Sequence, residues 1–120
     1  MKNNDYVSKI IDCCKKREEI LRNNEPMWKY NKYFDRMRIH ARKLIDENRQ
    51  EELLPYLEID SISIRKDVAG LLFHSYPELC TPVLQEIADM TVKTGLPLCF
   101  TNCSTSAYMA LKYGIPKDYP

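Results

Sequence analysis

The chain has 120 residues and a mass of 14.2 kDa, the size of one domain, and its 44% hydrophobic and 29% charged residues exclude a disordered polymer. Its longest apolar run, from Val68 to Phe73, is far too short for the roughly 20 residues of a spanning helix. A net charge of +1 excludes the strongly basic balance of a typical nucleic-acid binder, though not a local patch. Cys13, Cys14, Cys80, Cys99 and Cys103 are odd in number and irregular in spacing, which suits reduced thiols in the cytosol better than a disulfide framework. The N-terminus leads into Lys15, Lys16, Arg17, Glu18 and Glu19 without the apolar stretch of a secretory signal, so a cytoplasmic location is expected.

Val7, Ile10, Ile11, Cys14 and Leu21 recur at helical offsets and predict a first helix with one buried stripe, capped by Asn4 or Asp5. Pro26 disfavours helical geometry at Glu25 and predicts a break there. A second helix is expected from Trp28 to Asn48. Its Tyr30, Tyr33, Phe34, Met37, Ala41, Leu44 and Ile45 fall within about 120° of the wheel, opposite Lys29, Arg36, Arg38, Arg42 and Lys43. Trp28 lies off this stripe and either covers the first helix or belongs to a contact surface.

From residue 50 the pattern predicts shorter helices at about Gln50 to Leu57, Ser61 to His74, Pro77 to Lys93 and Cys103 to Tyr113. Asp60 or Ser61 can cap the second of these, and Gly95 before Pro97 and Gly114 before Pro116 are stop signals. Pro82 predicts a kink or a late start near Thr81. Aligning Ile64 with Cys103, 39 residues on, superposes Val68 on Ala107, Leu71 on Ala110 and Leu72 on Leu111, an offset near that of stacked helix-pair repeats.

The string Leu53-Leu54-Pro55-Tyr56-Leu57-Glu58-Ile59-Asp60, followed by Ile64-Arg65 and Val68-Ala69, resembles the HEAT signature of a leucine-rich first helix, an Asp in the turn and a Val/Ile-Arg pair opening the second helix. Asp60 is placed to reach Arg65, and Ala69 and Gly70 lack the bulk that would keep neighbouring helices apart. With Tyr30 to Asp35, Pro77 to Ala88 and Ala107 to Lys112, residues 27 to 114 resemble a family of small bacterial proteins with HEAT-like helices, catalogued as a domain of unknown function. Leu96 to Phe100 and Tyr108 depart from that pattern near the last helix. Length and periodicity predict an all-α fold in a single domain of residues 1–120 with an N-terminal helical hairpin, and the resemblance, over residues 27–114, implies that it leads into about two HEAT- or armadillo-like helix pairs, an α-α superhelix. It implies no activity. By analogy, similar helical-repeat proteins occur as immunity proteins beside bacterial toxins.

The residues that could carry chemistry fit plainer roles. No zinc-motif spacing joins the cysteines to His40 or His74, and a Cys80–His74 nucleophile pair lacks an orienting group. Ser104, Thr105 and Ser106 are what a helix start requires, and the three glycines are too scattered to cradle a phosphate. No cofactor and no metal are expected. What stands out is surface: Trp28, Lys29, Lys32, Arg36, Arg38 and Arg42 on the second helix, and a ridge of Arg65 and Lys66, as a contact face for a protein partner. The expectation is a noncatalytic binding module, possible in an immunity-type form that covers a toxin surface. Binding of nucleic-acid backbone through the basic flanks is the alternative, and a small cysteine/histidine enzyme or metal protein the third.

Overall fold

A computed structural model describes residues 5–120; Asn4, one of the two candidate caps, and residues 1–3 lie outside the described residues. The elements are α1 (Tyr6–Arg22), α2 (Met27–Asp46), a 3-10 helix (Gln50–Leu57), α3 (Ile62–Leu72), α4 (Pro77–Ala88), two 3-10 turns (Val92–Thr94 and Leu98–Phe100) and α5 (Thr101–Tyr113). Among the described residues there is no strand, and no helix is long and apolar enough to cross a membrane.

Asp5 starts α1 by accepting the Ser8 backbone N–H at 3.1 Å, which satisfies one of the free amides of the first turn. The chain turns through Asn24, whose φ of +52° an asparagine tolerates, and Pro26 then opens α2. The two helices form a hairpin around the predicted stripes: Ile10, Cys14, Met37, Ala41 and Leu44 are fully enclosed, and Cys14 Sγ lies 3.5 Å from Met37 Sδ. Each enclosed Ile, Leu or Met contributes on the order of 2 kcal/mol relative to exposure, so these stripes hold the hairpin more firmly than any surface pair.

Residues 50–57 are helical as expected, but as a 3-10 helix. Pro55 has no N–H to give, and the segment is short, both of which favour the tighter winding. Leu53 and Leu57 are buried, and the segment packs against α3. Ser61 rather than Asp60 caps α3, its Oγ accepting the Ile64 N–H at 3.1 Å. α3 is the central rod of the molecule, touched by α1, the 3-10 helix, α4 and α5. Eight of its eleven residues are consequently buried.

α4 begins at Pro77, not near Thr81, and carries Pro82 within it. It stops at Ala88, short of the expected Lys93, and a 3-10 turn follows in which Thr91 and Thr94 cap each other before Gly95 takes a φ of +104°. α5 starts two residues before the expected Cys103. Val68 of α3 and Ala107 of α5, 39 positions apart, are both fully buried. After Gly114 the chain folds back: Tyr119 stacks on Phe34 with ring centroids 5.9 Å apart, Pro120 is buried, and His74 Nε2 donates to the Pro116 carbonyl at 2.8 Å.

This return changes the reading of Gly70. A Cβ there would meet the Tyr119 ring at 4.0 Å, an ordinary van der Waals distance, and no neighbouring helix closer than that. The position is helical, so a side chain costs nothing in backbone strain. Gly70→Ala is therefore expected to raise stability by about 0.5–1 kcal/mol, measured as a shift of the urea midpoint at unchanged slope.

Candidate functional site

Two places on the molecule combine chemistry with access. The first grows from two charged residues set on apolar stripes. Arg17 sits about 20° from Ile10 on the α1 wheel, in the middle of the buried face. Asp67 sits between Ile64 and Leu71 on α3. The helices bring them together, and both are 4% exposed. Arg17 Nη1 bonds Asp67 Oδ1, its Nε donates to the Tyr30 carbonyl at 3.3 Å, and its guanidinium lies 3.8 Å from the Tyr30 ring centroid.

Lys66 joins this cluster and departs from the sequence expectation. Instead of forming an outer ridge with Arg65, it is 8% exposed, with Nζ 3.1 Å from Asp67 Oδ1 and donating to the Tyr30 hydroxyl at 3.3 Å. The reason is that α3 is covered on nearly all sides, so a residue the wheel assigns to an outer arc is enclosed as well. Burial alone would pull the Lys66 ammonium's pKa down; the Asp67 carboxylate and the Tyr30 hydroxyl outweigh it and hold the value above normal. Two cations thus share one carboxylate, whose second oxygen, Oδ2, is buried without a hydrogen-bond partner. Beside the cluster lies a cavity of about 390 Å³, lined by Lys66, Asp67 and Gly70 from α3, Ala107 and Ala110 from α5, and Tyr119 from the returning chain. Arg65 does not reach Asp60; it bridges to Glu86 of α4 at 2.7 Å.

The second place is the surface where α1 turns into α2. Trp28 is 63% exposed and lies on the surface beside α1 rather than in the core. It shares a concavity of about 170 Å³ with Lys16, Glu19, Ile20, Glu25, Lys29, Lys32 and Tyr33. Lys29 Nζ lies 5.9 Å from the Trp28 ring centroid, and Lys32 and Arg36 lie 5.7 and 5.3 Å from that of Tyr33. On the other side of Ile20, Met27 and Leu98 line a further hollow and are 46% and 76% exposed. Arg38 and Arg42 belong elsewhere, lining a shallow depression with Ile39, so the predicted contact residues do not form one face. Two of the cations are already paired, Lys29 with Glu25 at 3.0 Å and Arg42 with Asp46 at 3.4 Å.

The thiols gather no such setting. Cys13, Cys14, Cys80 and Cys103 are buried, and burial raises the pKa of each, that of Cys80 to about 11. A thiol held protonated is a poor nucleophile. Native protein at pH 8 is expected to react rapidly with a disulfide reagent at the half-buried Cys99 alone, and at all five cysteines after denaturation. Rapid modification of Cys80 or Cys103 in the folded state would show those sites to be open. Among the described residues no three His, Cys, Asp or Glu side chains come together as a metal-binding group. His40 is half-buried, and burial, with Lys9 and Lys43 nearby, lowers its pKa.

The sequence reading missed Arg17, Asp67 and the cavity. The signal was present as a single opposite charge on each of two otherwise apolar stripes. No family model, curated protein or solved structure matches the chain.

Proposed function

We propose that this protein is a noncatalytic binding module that contacts another protein through the α1–α2 turn, with Trp28 as its anchor. The observation that carries this reading is the 63% exposure of Trp28 among Lys29, Lys32 and Arg36. A large ring left in water beside cations is the composition of an interface hot spot, where Trp and Arg are enriched and truncation is most costly. Met27 and Leu98 extend the apolar part of that surface. The rim is mixed, Lys16, Lys29 and Lys32 against Glu19 and Glu25, and its positive balance suits a partner presenting acidic side chains around an apolar pocket.

The 3-10 helix with α3, and α4 with α5, supply two successive helix pairs after the hairpin, which fits a HEAT-like stack of the kind used as a rigid binding scaffold. An immunity-type role, covering an acidic surface of a toxin, is the most concrete form of the proposal and rests on analogy of architecture. Phosphate-backbone binding fits less well, because a phosphate backbone offers no apolar pocket for the exposed Trp28, Met27 and Leu98. The test is capture from native lysate with wild-type protein and with Trp28→Ala side by side. A partner retained by the first and lost by the second is expected; an identical retained set for both, or none, overturns the proposal.

A further inference from the structure

The cavity beside the Arg17–Asp67–Lys66 cluster is separate from the surface around Trp28 and has the features of a small-molecule site. Its size falls in the range of such sites, about 300–1,000 Å³. Most of its wall is apolar, formed by Leu84, Ala107, Ala110, Ile115 and the Phe34 and Tyr119 rings, and it opens past Met109 and Tyr113, which are 47% and 68% exposed.

The polar end is not neutral. Lys66 in the wall and Arg17 behind it contribute two positive charges against the one negative charge of Asp67, the only acidic residue lining the cavity among the described residues. Arg38 lies outside the lining, in the depression with Ile39, and reaches the site only through the Phe34 and Tyr119 rings, 5.7 and 5.2 Å from their centroids. The Tyr30 hydroxyl takes one of the three N–H groups of the Lys66 ammonium, and with Asp67 Oδ1 3.1 Å away a donor is still left for a further acceptor. A cationic ligand would gain the open Asp67 Oδ2 but would face two cations already gathered on Oδ1. An anion with an apolar body would meet surplus positive charge, a donor and an oily wall.

We propose that this cavity binds small aliphatic monocarboxylates, with the carboxylate accepting from Lys66 Nζ and the hydrocarbon lying along α5 and the Tyr119 ring. A charge-assisted hydrogen bond of this kind separates an acid from the matching alcohol by about tenfold or more. Each methylene added to the chain, while the cavity has room, tightens binding by about fourfold.

The experiment is calorimetric titration of the intact chain with hexanoate, octanoate, 1-octanol and octylamine, with backbone amide shifts to locate each probe. Octanoate is expected to saturate below about 1 mM, ahead of hexanoate and octanol, with octylamine weakest. Its amide shifts should centre on Ala107, Ala110 and Gly114. Lys66→Met is expected to abolish the preference for octanoate over octanol. Ala110→Phe, which fills the cavity from a half-buried position, should abolish binding of both while the thermal melt stays cooperative, so the proposal remains testable even if the Lys66 variant does not fold. Octylamine binding as well as octanoate, shifts centred elsewhere, an unchanged Ala110→Phe protein, or no saturation at about 10 mM would each overturn the proposal.

Discussion

Asp67→Asn is expected to lower the unfolding free energy by about 3–5 kcal/mol, because it keeps the shape of the side chain and removes the counter-charge that pairs with two enclosed cations. A domain of this size has about 5–15 kcal/mol in total, so the variant should be partly unfolded or melt far below the parent. Arg17→Met should cost less, since Lys66 still faces Asp67, but it also loses the contact with the Tyr30 ring and the bond to the Tyr30 carbonyl. Lys66→Met should be mildest, because Arg17 and Asp67 remain matched one to one and the methionine occupies most of the lysine stem. Urea unfolding of the three variants checks this order. Equal costs for Asp67→Asn and Lys66→Met would mean that the cluster is not governed by its charge balance.

Trp28→Ala is expected to act on binding and not on folding. With nearly two thirds of its surface in water, the ring has little burial to lose, and stability should change by no more than about 0.5 kcal/mol. Affinity for the partner should fall by about 2 kcal/mol, near thirtyfold, as expected for a central aromatic anchor. Lys32→Glu beside it should slow association and weaken its dependence on salt, which distinguishes a charged rim from an apolar anchor. A large loss of stability in Trp28→Ala would place the ring in a packing role instead.

Periodicity made the helices legible, and packing against other elements set what it could not reach. The stripes of Ile10, Cys14, Met37, Ala41 and Leu44 are visible in sequence because one helix face meeting another imposes a 3.6-residue repeat, and the structure buries all five. α3 carries no comparable one-sided signal, since contacts all around it enclose Ser63, Lys66 and Asp67 together with the apolar residues. Lys66 was therefore readable as surface, although it is among the most buried charges in the chain. The 3-10 form of residues 50–57 and the return of Tyr119 onto Phe34 leave no repeat in the sequence at all, because each depends on a local turn or on a contact made 85 positions away. The cavity depends on that return and was equally hidden. Trp28 was the reverse case: its position off the α2 stripe left two roles open, and the structure leaves most of its ring in water.

The binding account is tested most directly by placing a photo-crosslinking residue at position 32, beside Trp28, and a second at position 93, which is exposed on the 3-10 turn after α4, and irradiating each protein in native lysate. The account predicts a discrete cross-linked partner from position 32 that disappears on adding Trp28→Ala, with none from position 93. No adduct at 32, or the same adducts from both positions regardless of Trp28, would contradict it.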